Sequence, residues 1–161
     1  MKVVKTITRW VLGLLFVWPF LDKLIGLGYT TTPEKAWIAG GSPTAGFLQF
    51  GATGPFAPLF NRIGGTGIVD WLFMLTLLLV GIALILGIGL RIAAVAGGIL
   101  MFLMWAAVFP KEHNLLLMDE HLVYLLLLLL IGFVFVEEEQ WAGLGNWWKN
   151  TKFVKKAPFL K

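Results

Sequence analysis

Both histidines of this chain lie in one short segment, KEHNLLLMDEHLVY, residues 111–124, between two strongly apolar runs. The segment also holds three of the nine carboxylates in the chain. An imidazole titrates near neutral pH and can exchange a proton with a carboxylate or with a ligand. This segment is therefore the first place in the sequence to look for acid–base or ligand-binding chemistry.

His121 and Tyr124 are three residues apart, so a helix places them on one face. Either side chain could donate a hydrogen bond to a quinone carbonyl, and His121 could relay a proton. The alternative is a histidine that is merely tolerated at a membrane interface. Asp119 is predicted to cap the N-terminus of the same helix, where its negative charge also suits the helix dipole.

The sequence predicts no metal site. The seven residues between His113 and His121 match no established ligand spacing. The chain contains no cysteine, which excludes disulfides, cysteine-ligated metals, iron–sulfur clusters and persulfide chemistry on its own side chains.

The composition is that of a membrane protein. Hydrophobic residues make up 58% of the chain and charged residues only 14%, with eight tryptophans and a mean hydropathy of +0.84. A soluble domain carries about a quarter charged residues, and a core of this size cannot hide so much apolar surface. We expect a multi-pass protein of the cell membrane, with the lipid bilayer as its first partner and no nucleic acid.

Four apolar segments reach the length of a membrane span: residues 4–27, 69–88, 91–109 and 119–136. The connection 28–68 is too long for a plain loop and is predicted to carry short interfacial helices, and residues 137–161 form an interfacial tail. The fold class is therefore predicted to be all-α: a single domain, 1–161, built as an integral membrane four-helix bundle.

The basic residues predict the orientation. Nine of them share one side and four lie on the other. The first group is Lys2, Lys5, Arg9, Arg91, Lys149, Lys152, Lys155, Lys156 and Lys161, and the second is Lys23, Lys35, Arg62 and Lys111. Both termini are then cytoplasmic, while residues 28–68 and the histidine segment face outward.

In this orientation, charged residues collect at the outer ends of all four predicted helices. Asp22 and Lys23 lie near the end of the first helix, where a charge costs a few kcal/mol unless it is paired or hydrated. They are either functional groups or a structural pair in which Lys23 reaches the interface and Asp22 binds a nearby cation. Structural roles are predicted for Asp70, Asp119, Glu120 and Arg91.

Several stretches resemble the DoxX/DoxD-like family of small membrane proteins. They are RWVLGLLFVWPFLDKLIGLGYTT, AWIAGGSPTAGFL, DWLFMLTLLLVGIALILGIGLRIAAVAG and EHNLLLMDEHLVY. The most specific parts are LDK at residues 21–23 and GGSPTAGFL at 40–48. The histidine segment adds HN at 113–114 and DEH at 119–121. The resemblance extends over residues 9–148.

The resemblance implies a four-helix membrane bundle. It also points to the small DoxD subunit of thiosulfate:quinone oxidoreductase, in which two thiosulfates are joined to tetrathionate and a quinone is reduced. That enzyme has a second subunit, DoxA, which this chain does not contain. We therefore expect a redox-linked protein with quinone as substrate or bound ligand.

On this hypothesis the catalytic candidates are His121, Asp22 and Lys23. The substrate-binding candidates are Lys23, Arg62, Lys111, His113, Asn114, Tyr124 and Trp105. The cations among them suit a thiosulfate dianion, and the aromatic and imidazole groups suit a quinone headgroup.

A non-catalytic membrane subunit, which anchors or stabilises a respiratory or redox complex, is the alternative. A cationic pocket without carboxylate partners would favour the enzyme, whereas carboxylates that neutralise the rim cations would favour the subunit. A third possibility is a small transporter, but the sequence shows neither the inverted repeats nor the broken spanning helices expected of that class. The sequence leaves open whether the chain binds a second subunit and whether it forms a homo-oligomer.

Overall fold

The computed structural model describes residues 2–109, 118–138 and 140–161. The regular elements within these ranges are all helical, which confirms the all-α prediction for them. The α-helices are α1 (Lys2–Ile25), α2 (Ala45–Phe50), α3 (Ala57–Ile63), α4 (Gly67–Leu86), α5 (Leu90–Ala107), α6 (Glu120–Leu129), α7 (Gly145–Asn150) and α8 (Lys152–Lys156). Short 3₁₀ turns occur at Pro33–Lys35, Trp37–Ala39 and Pro158–Leu160.

Three helices, α1, α4 and α5, are long and apolar enough to cross a membrane. They correspond to the predicted spans 4–27, 69–88 and 91–109. One face of α1 exposes large apolar side chains at helical spacing: Ile7, Val11, Leu14, Trp18, Leu21 and Ile25. A continuous apolar face of this length would be costly in water and suits the hydrocarbon of a bilayer.

The helices α1 and α4 approach each other closely at two glycines. A Cβ atom on Gly81 would lie 2.6 Å from Val17 Cγ2 and 3.1 Å from the carbonyl oxygen of Gly13. A Cβ atom on Gly13 would meet the carbonyl oxygen of Gly81 at 3.1 Å. Small residues at such a crossing let two backbones pack without side chains between them, as is common between membrane helices.

Helix α5 packs between α4 and α6. Its small residues Ala93, Ala94 and Gly97 are buried, and a Cβ atom on Gly97 would lie 3.1 Å from both Leu128 Cδ1 and Val80 Cγ1. This is the close packing that the small-residue pattern of α5 predicts. The central core of the protein lies at this junction.

In the structure, the helix within the fourth predicted span, residues 119–136, is shorter than the sequence predicts. Helix α6 continues into a π-helix, Leu130–Val134, so its regular part covers Glu120–Val134. At about 1.5 Å per residue this is roughly 22 Å, less than the roughly 30 Å of a bilayer core. Residues 110–117, which include the candidates Lys111, His113 and Asn114, lie outside the described residues.

The chain termini and the α4–α5 turn meet at one end of the long helices, which we call the inner end. The turn reverses the chain at Gly87 and Gly89, whose φ angles of 78° and 58° suit glycine. The backbone N–H of Leu144 in the tail donates to the carbonyl oxygen of Leu86 at 2.7 Å. The tail is thus fixed across the inner ends of the helices.

Candidate functional site

A cavity of about 970 Å³ occupies the opposite, outer end of the protein. Residues from the outer halves of α1, α4 and α5, the start of α6 and the connection between α1 and α4 form its wall. Most of the lining side chains are apolar. The polar ones are Lys23, Tyr29, Thr30, Thr31, Lys35, Ser42, Thr44, Thr76, His121 and Tyr124.

Asp22 holds one part of the cavity wall in place. Its carboxylate is completely buried and accepts hydrogen bonds from the backbone N–H of Tyr29 and of Thr30, both at 3.0 Å, and from Thr30 Oγ1 at 2.6 Å. The carboxylate itself does not line the cavity. Asp22 therefore fixes the chain where it leaves α1, and its bonds are made to the loop rather than to a cation.

Asp70 does the same for a second part of the wall. It is buried in the first turn of α4 and accepts hydrogen bonds from Ser42 Oγ at 2.9 Å, from the backbone N–H of Thr44 at 3.2 Å and from Thr44 Oγ1. Ser42 Oγ accepts in turn from the N–H of Ala45 at the start of α2. Two buried carboxylates thus tie the connection to the outer helix ends.

The start of α6 presents an acid–base pair to the cavity. Asp119 has the N-cap geometry that the sequence predicts: its side chain accepts from the backbone N–H of His121 and Leu122. Its Oδ2 also lies 2.9 Å from His121 Nδ1. When the ring is neutral, this contact places the proton on Nδ1 and leaves Nε2 as the basic nitrogen. Nε2 has no hydrogen-bond partner among the described residues, and His121 and Tyr124 both line the cavity.

Lys23 brings a positive charge to the same cavity. Its ammonium group is half-buried and, in the part of the chain that the structure describes, makes no hydrogen bond and no ion pair. The described lining residues include no aspartate or glutamate. Asp22, Asp70 and Asp119 are each hydrogen-bonded to other groups and do not contact this ammonium directly, although the adjacent Asp22 interacts with it electrostatically.

Two other binding candidates lie away from the cavity lining. Arg62 is exposed on α3. Trp105 packs against Phe102 and Phe109, with ring centroids 5.5 Å and 4.8 Å away, and belongs to a cluster with the buried Phe60. Neither residue is among those that form the cavity wall.

The remaining structural candidates are separated in space. Glu120 is exposed at the start of α6. Arg91 lies at the inner end, where its guanidinium donates to Glu137 Oε1 at 2.7 Å and to the carbonyl oxygen of Pro158 at 3.0 Å. The pKa of the Glu137 carboxyl is held below its usual range, chiefly by a hydrogen bond from the ammonium of Lys161. The positive charges of Lys161 and Arg91 add to this effect.

Asp119, Glu120 and His121 each offer an atom that could bind a metal, and these atoms lie within 4.8 Å of one another. However, both carboxylate oxygens of Asp119 already accept hydrogen bonds from residues 121 and 122. A metal would have to displace the contact between Asp119 and the imidazole. The predicted lack of a metal site stays a prediction.

Sequence reasoning missed a buried arginine at the inner end. The sequence places Arg9 only among the basic residues of the inner side, but its side chain is 3% exposed. It donates to Gln140 Oε1 and, at 2.8 Å, to the carbonyl oxygen of Ala142. Gln140 donates in turn to the carbonyl oxygen of Gly87 at 3.1 Å. An arginine about two turns inside an apolar helix was the available signal, since such a charge needs partners.

Comparison of the chain with protein-family models, with curated proteins and with solved structures finds no match. The relation to the DoxX/DoxD-like family that the sequence motifs indicate therefore stays a prediction.

Proposed function

We propose that this chain is a multi-pass membrane protein that binds a lipid-soluble quinone in the outer cavity and takes part in its reduction. The observation that carries the proposal is the cavity itself. It has the size of a ligand pocket, is lined mainly by apolar side chains, and brings Lys23, His121 and Tyr124 to one chamber. A few polar groups in an apolar pocket are typical of sites for small amphiphilic molecules.

The proposed architecture is a four-helix bundle of α1, α4, α5 and α6 with both termini in the cytoplasm. The excess of basic residues at the inner end supports this orientation, because such residues accumulate on the cytoplasmic side. The cavity then lies in the outer half of the membrane.

A quinone would enter this cavity from the bilayer. Several lining residues are also exposed on the outside of the helices: Leu15, Leu72, Ile99 and Leu103. They connect the chamber with the hydrocarbon region, where the isoprenoid tail of a quinone resides. The headgroup would accept hydrogen bonds from Tyr124 and from the protonated ring of His121.

We propose thiosulfate as the electron donor, as the resemblance to the DoxD subunit implies. Two thiosulfate dianions form one S–S bond and release two electrons, and the quinone takes up two electrons and two protons to become the quinol. Lys23 provides a positive charge that no described carboxylate contacts, which suits a dianion. His121 would deliver protons, while Asp119 stabilises the imidazolium and fixes the orientation of its ring.

In this scheme Asp22 acts as a positioning residue. Its carboxylate is enclosed by hydrogen bonds from residues 29 and 30, so it has no position from which to exchange protons with a ligand in the cavity. Asp70 acts in the same way on residues 42–44. Both keep the wall of the cavity closed above the ligand.

A non-catalytic subunit that supplies quinone to a larger redox complex is the second candidate. The connection between α1 and α4 exposes large apolar side chains, among them Ile38 at 70% and Phe50 at 85% of their surface. Exposed apolar groups on an ordered outer segment are suited to contact with another subunit. The cavity would then bind quinone without the chain itself oxidising thiosulfate.

The test is quinone binding and thiosulfate-dependent reduction of ubiquinone-1 by the purified chain in lipid nanodiscs. The Lys23→Gln variant should lose at least tenfold in the apparent affinity for thiosulfate, about the effect of one charged hydrogen bond. Arg62→Gln is the matched control, because it removes a cation from the same side but not from the cavity wall. Tyr124→Phe should weaken ubiquinone-1 binding, and His121→Gln should reduce turnover more than binding.

Three results separate the candidates. Turnover that Lys23→Gln and His121→Gln lose, while Arg62→Gln keeps it, supports the enzyme. Binding of ubiquinone-1 that Tyr124→Phe weakens, without turnover in the parent chain, supports the quinone-supplying subunit. A folded chain that binds no ubiquinone-1 at all refutes both.

A further inference from the structure

The C-terminal tail presents a basic and aromatic surface at the inner end, which we call the basic tail face. It consists of Trp147, Lys152, Phe153, Lys155, Lys156 and Phe159. The aromatic side chains are exposed by 64%, 69% and 55% in chain order. This surface has no part in the outer cavity, so its function is independent of quinone binding.

The tail is held in a fixed position against the inner helix ends. Arg91 binds it at two points: its side chain donates to the carbonyl oxygen of Pro158 and its backbone N–H to that of Lys161, both at 3.0 Å. Trp148 Nε1 donates to the carbonyl oxygen of Leu160 at 2.6 Å, and Val154 is completely buried. The basic tail face therefore lies where the ends of the long apolar helices place the membrane surface.

Helix α8 directs its lysines away from the protein. Val154 points inward, and on a helix Lys152 and Lys156 then lie on the opposite side, with Phe153 and Lys155 flanking them. All three lysines are exposed, and in the described part of the chain they make no hydrogen bond or ion pair. Their charge is available to an external partner.

The nearby described carboxylates are already engaged by other cations. Glu137 is bound by Arg91 and Lys161, and Glu138 forms an ion pair with Lys5. They therefore do not neutralise α8. Exposed lysines beside exposed aromatic rings, at the level of the helix ends, complement a surface of anionic phosphate groups above acyl chains.

We propose that the basic tail face binds the anionic phospholipids of the leaflet at the inner end. The three lysines contact the phosphate headgroups, and Phe153, Trp147 and Phe159 enter the interface between headgroups and acyl chains. Each lysine near an anionic surface favours the docked tail by about fivefold. Together the three favour it on the order of 100-fold, and screening by salt reduces this effect.

The test uses the absence of cysteine from the natural sequence. A single Phe153→Cys substitution carries an environment-sensitive fluorophore, and the labelled full-length chain is placed in nanodiscs of phosphatidylcholine with or without phosphatidylglycerol. We expect that the anionic lipid shifts the emission to the blue, protects the label from iodide and exposes it to quenching by brominated acyl chains. High salt should reverse these changes.

Two triple variants in the labelled chain complete the experiment. Lys152, Lys155 and Lys156 changed together to Gln should abolish the response to phosphatidylglycerol, whereas the same positions changed to Arg should keep it. Equal exposure of the label in both lipid mixtures, or a response that the Gln variant retains, would overturn the proposal. If the Gln variant does not fold, the salt dependence of the Arg variant and of the parent decides the question.

Discussion

Removal of the Asp22 carboxylate should open the connection between α1 and α4. In the Asp22→Ala variant three donors within 3.0 Å lose their acceptor: two backbone N–H groups and the Thr30 hydroxyl. A hydrogen bond to a charged group contributes about 1.5–3 kcal/mol, so the three sum to about 4.5–9 kcal/mol. The burial of a carboxylate is itself costly, and its removal offsets part of this sum. We expect a net loss of about 3 kcal/mol.

The loss should be local, because Asp22 contacts the chain just beyond α1 rather than the core at Gly97. Limited trypsin proteolysis of the folded chain measures it through cleavage after Lys35, which lies in the connection. If cleavage follows the population of the open form, a change of about 3 kcal/mol raises its rate on the order of 100-fold. Cleavage at the inner end, after Lys149, should not change and serves as the internal control.

A second variant, Thr30→Val, isolates one of the three hydrogen bonds. It removes the hydroxyl donor at 2.6 Å but keeps both backbone contacts, so we expect a cleavage rate about tenfold above the parent. The double variant Asp22→Ala/Thr30→Val should add little to Asp22→Ala alone, since the two residues share one interaction. Unchanged cleavage in Asp22→Ala, combined with lost ubiquinone-1 reduction, would refute the positioning role and return Asp22 to the catalytic residues.

Three further outcomes follow from the packing and from the inner end. Gly81→Ala should destabilise the chain by about 1–3 kcal/mol in thermal unfolding, because the added Cβ atom would lie 3.1 Å from a backbone oxygen of α1. Gly46→Ala is the control, because a Cβ atom there meets nothing within 4 Å. Arg9→Met should release the tail at a cost of about 2–3 kcal/mol, seen as faster tryptic cleavage at the tail lysines, and Arg9→Lys should restore only part of the loss. Since the pKa of Glu137 is lowered in the folded chain, its contact with Lys161 stabilises the protein above the unfolded pKa of about 4.3 and is lost as the pH falls through the lower folded value. Because this carboxylate is 52% exposed, Glu137→Gln should lower the stability by less than about 1 kcal/mol at neutral pH, and the difference from the parent should vanish in acid.

The apolar segments predicted the long helices because membrane-spanning helices have a strong local signal. About 20 apolar residues between polar turns leave few alternatives, so α1, α4 and α5 lie close to the predicted ranges. The fourth segment was harder to predict. Its run of leucines gave no sign of the π-helix at Leu130–Val134, which forms where Gly132 packs against Ala94 and the α5 backbone.

For the candidate site, spacing within one helix was informative and spacing between elements was not. His121 and Tyr124 both line the cavity, as two residues on one helical face should, and Asp119 is placed by its local capping bonds. The position of Asp22 against residues 29–31, and that of Asp70 against residues 42–44, depended on how a long connection folds back over the helix ends. The threonines at 30–32 and the hydroxyl residues Ser42 and Thr44 were the available signal, since such side chains can donate hydrogen bonds to a buried carboxylate.

The sequence by itself determined that the chain is helical and rich in membrane-compatible segments, and it placed most of the charged groups near the helix ends. The physical reason is local: the hydrophobic effect and the need to satisfy backbone hydrogen bonds act on each apolar segment separately. Only the tertiary structure decided that Lys23, His121 and Tyr124 share one cavity, that Arg62 and Trp105 lie outside its wall, and that Arg9 holds the tail. Those relations depend on close contacts between residues far apart in the chain, which the periodicity of a single helix does not encode.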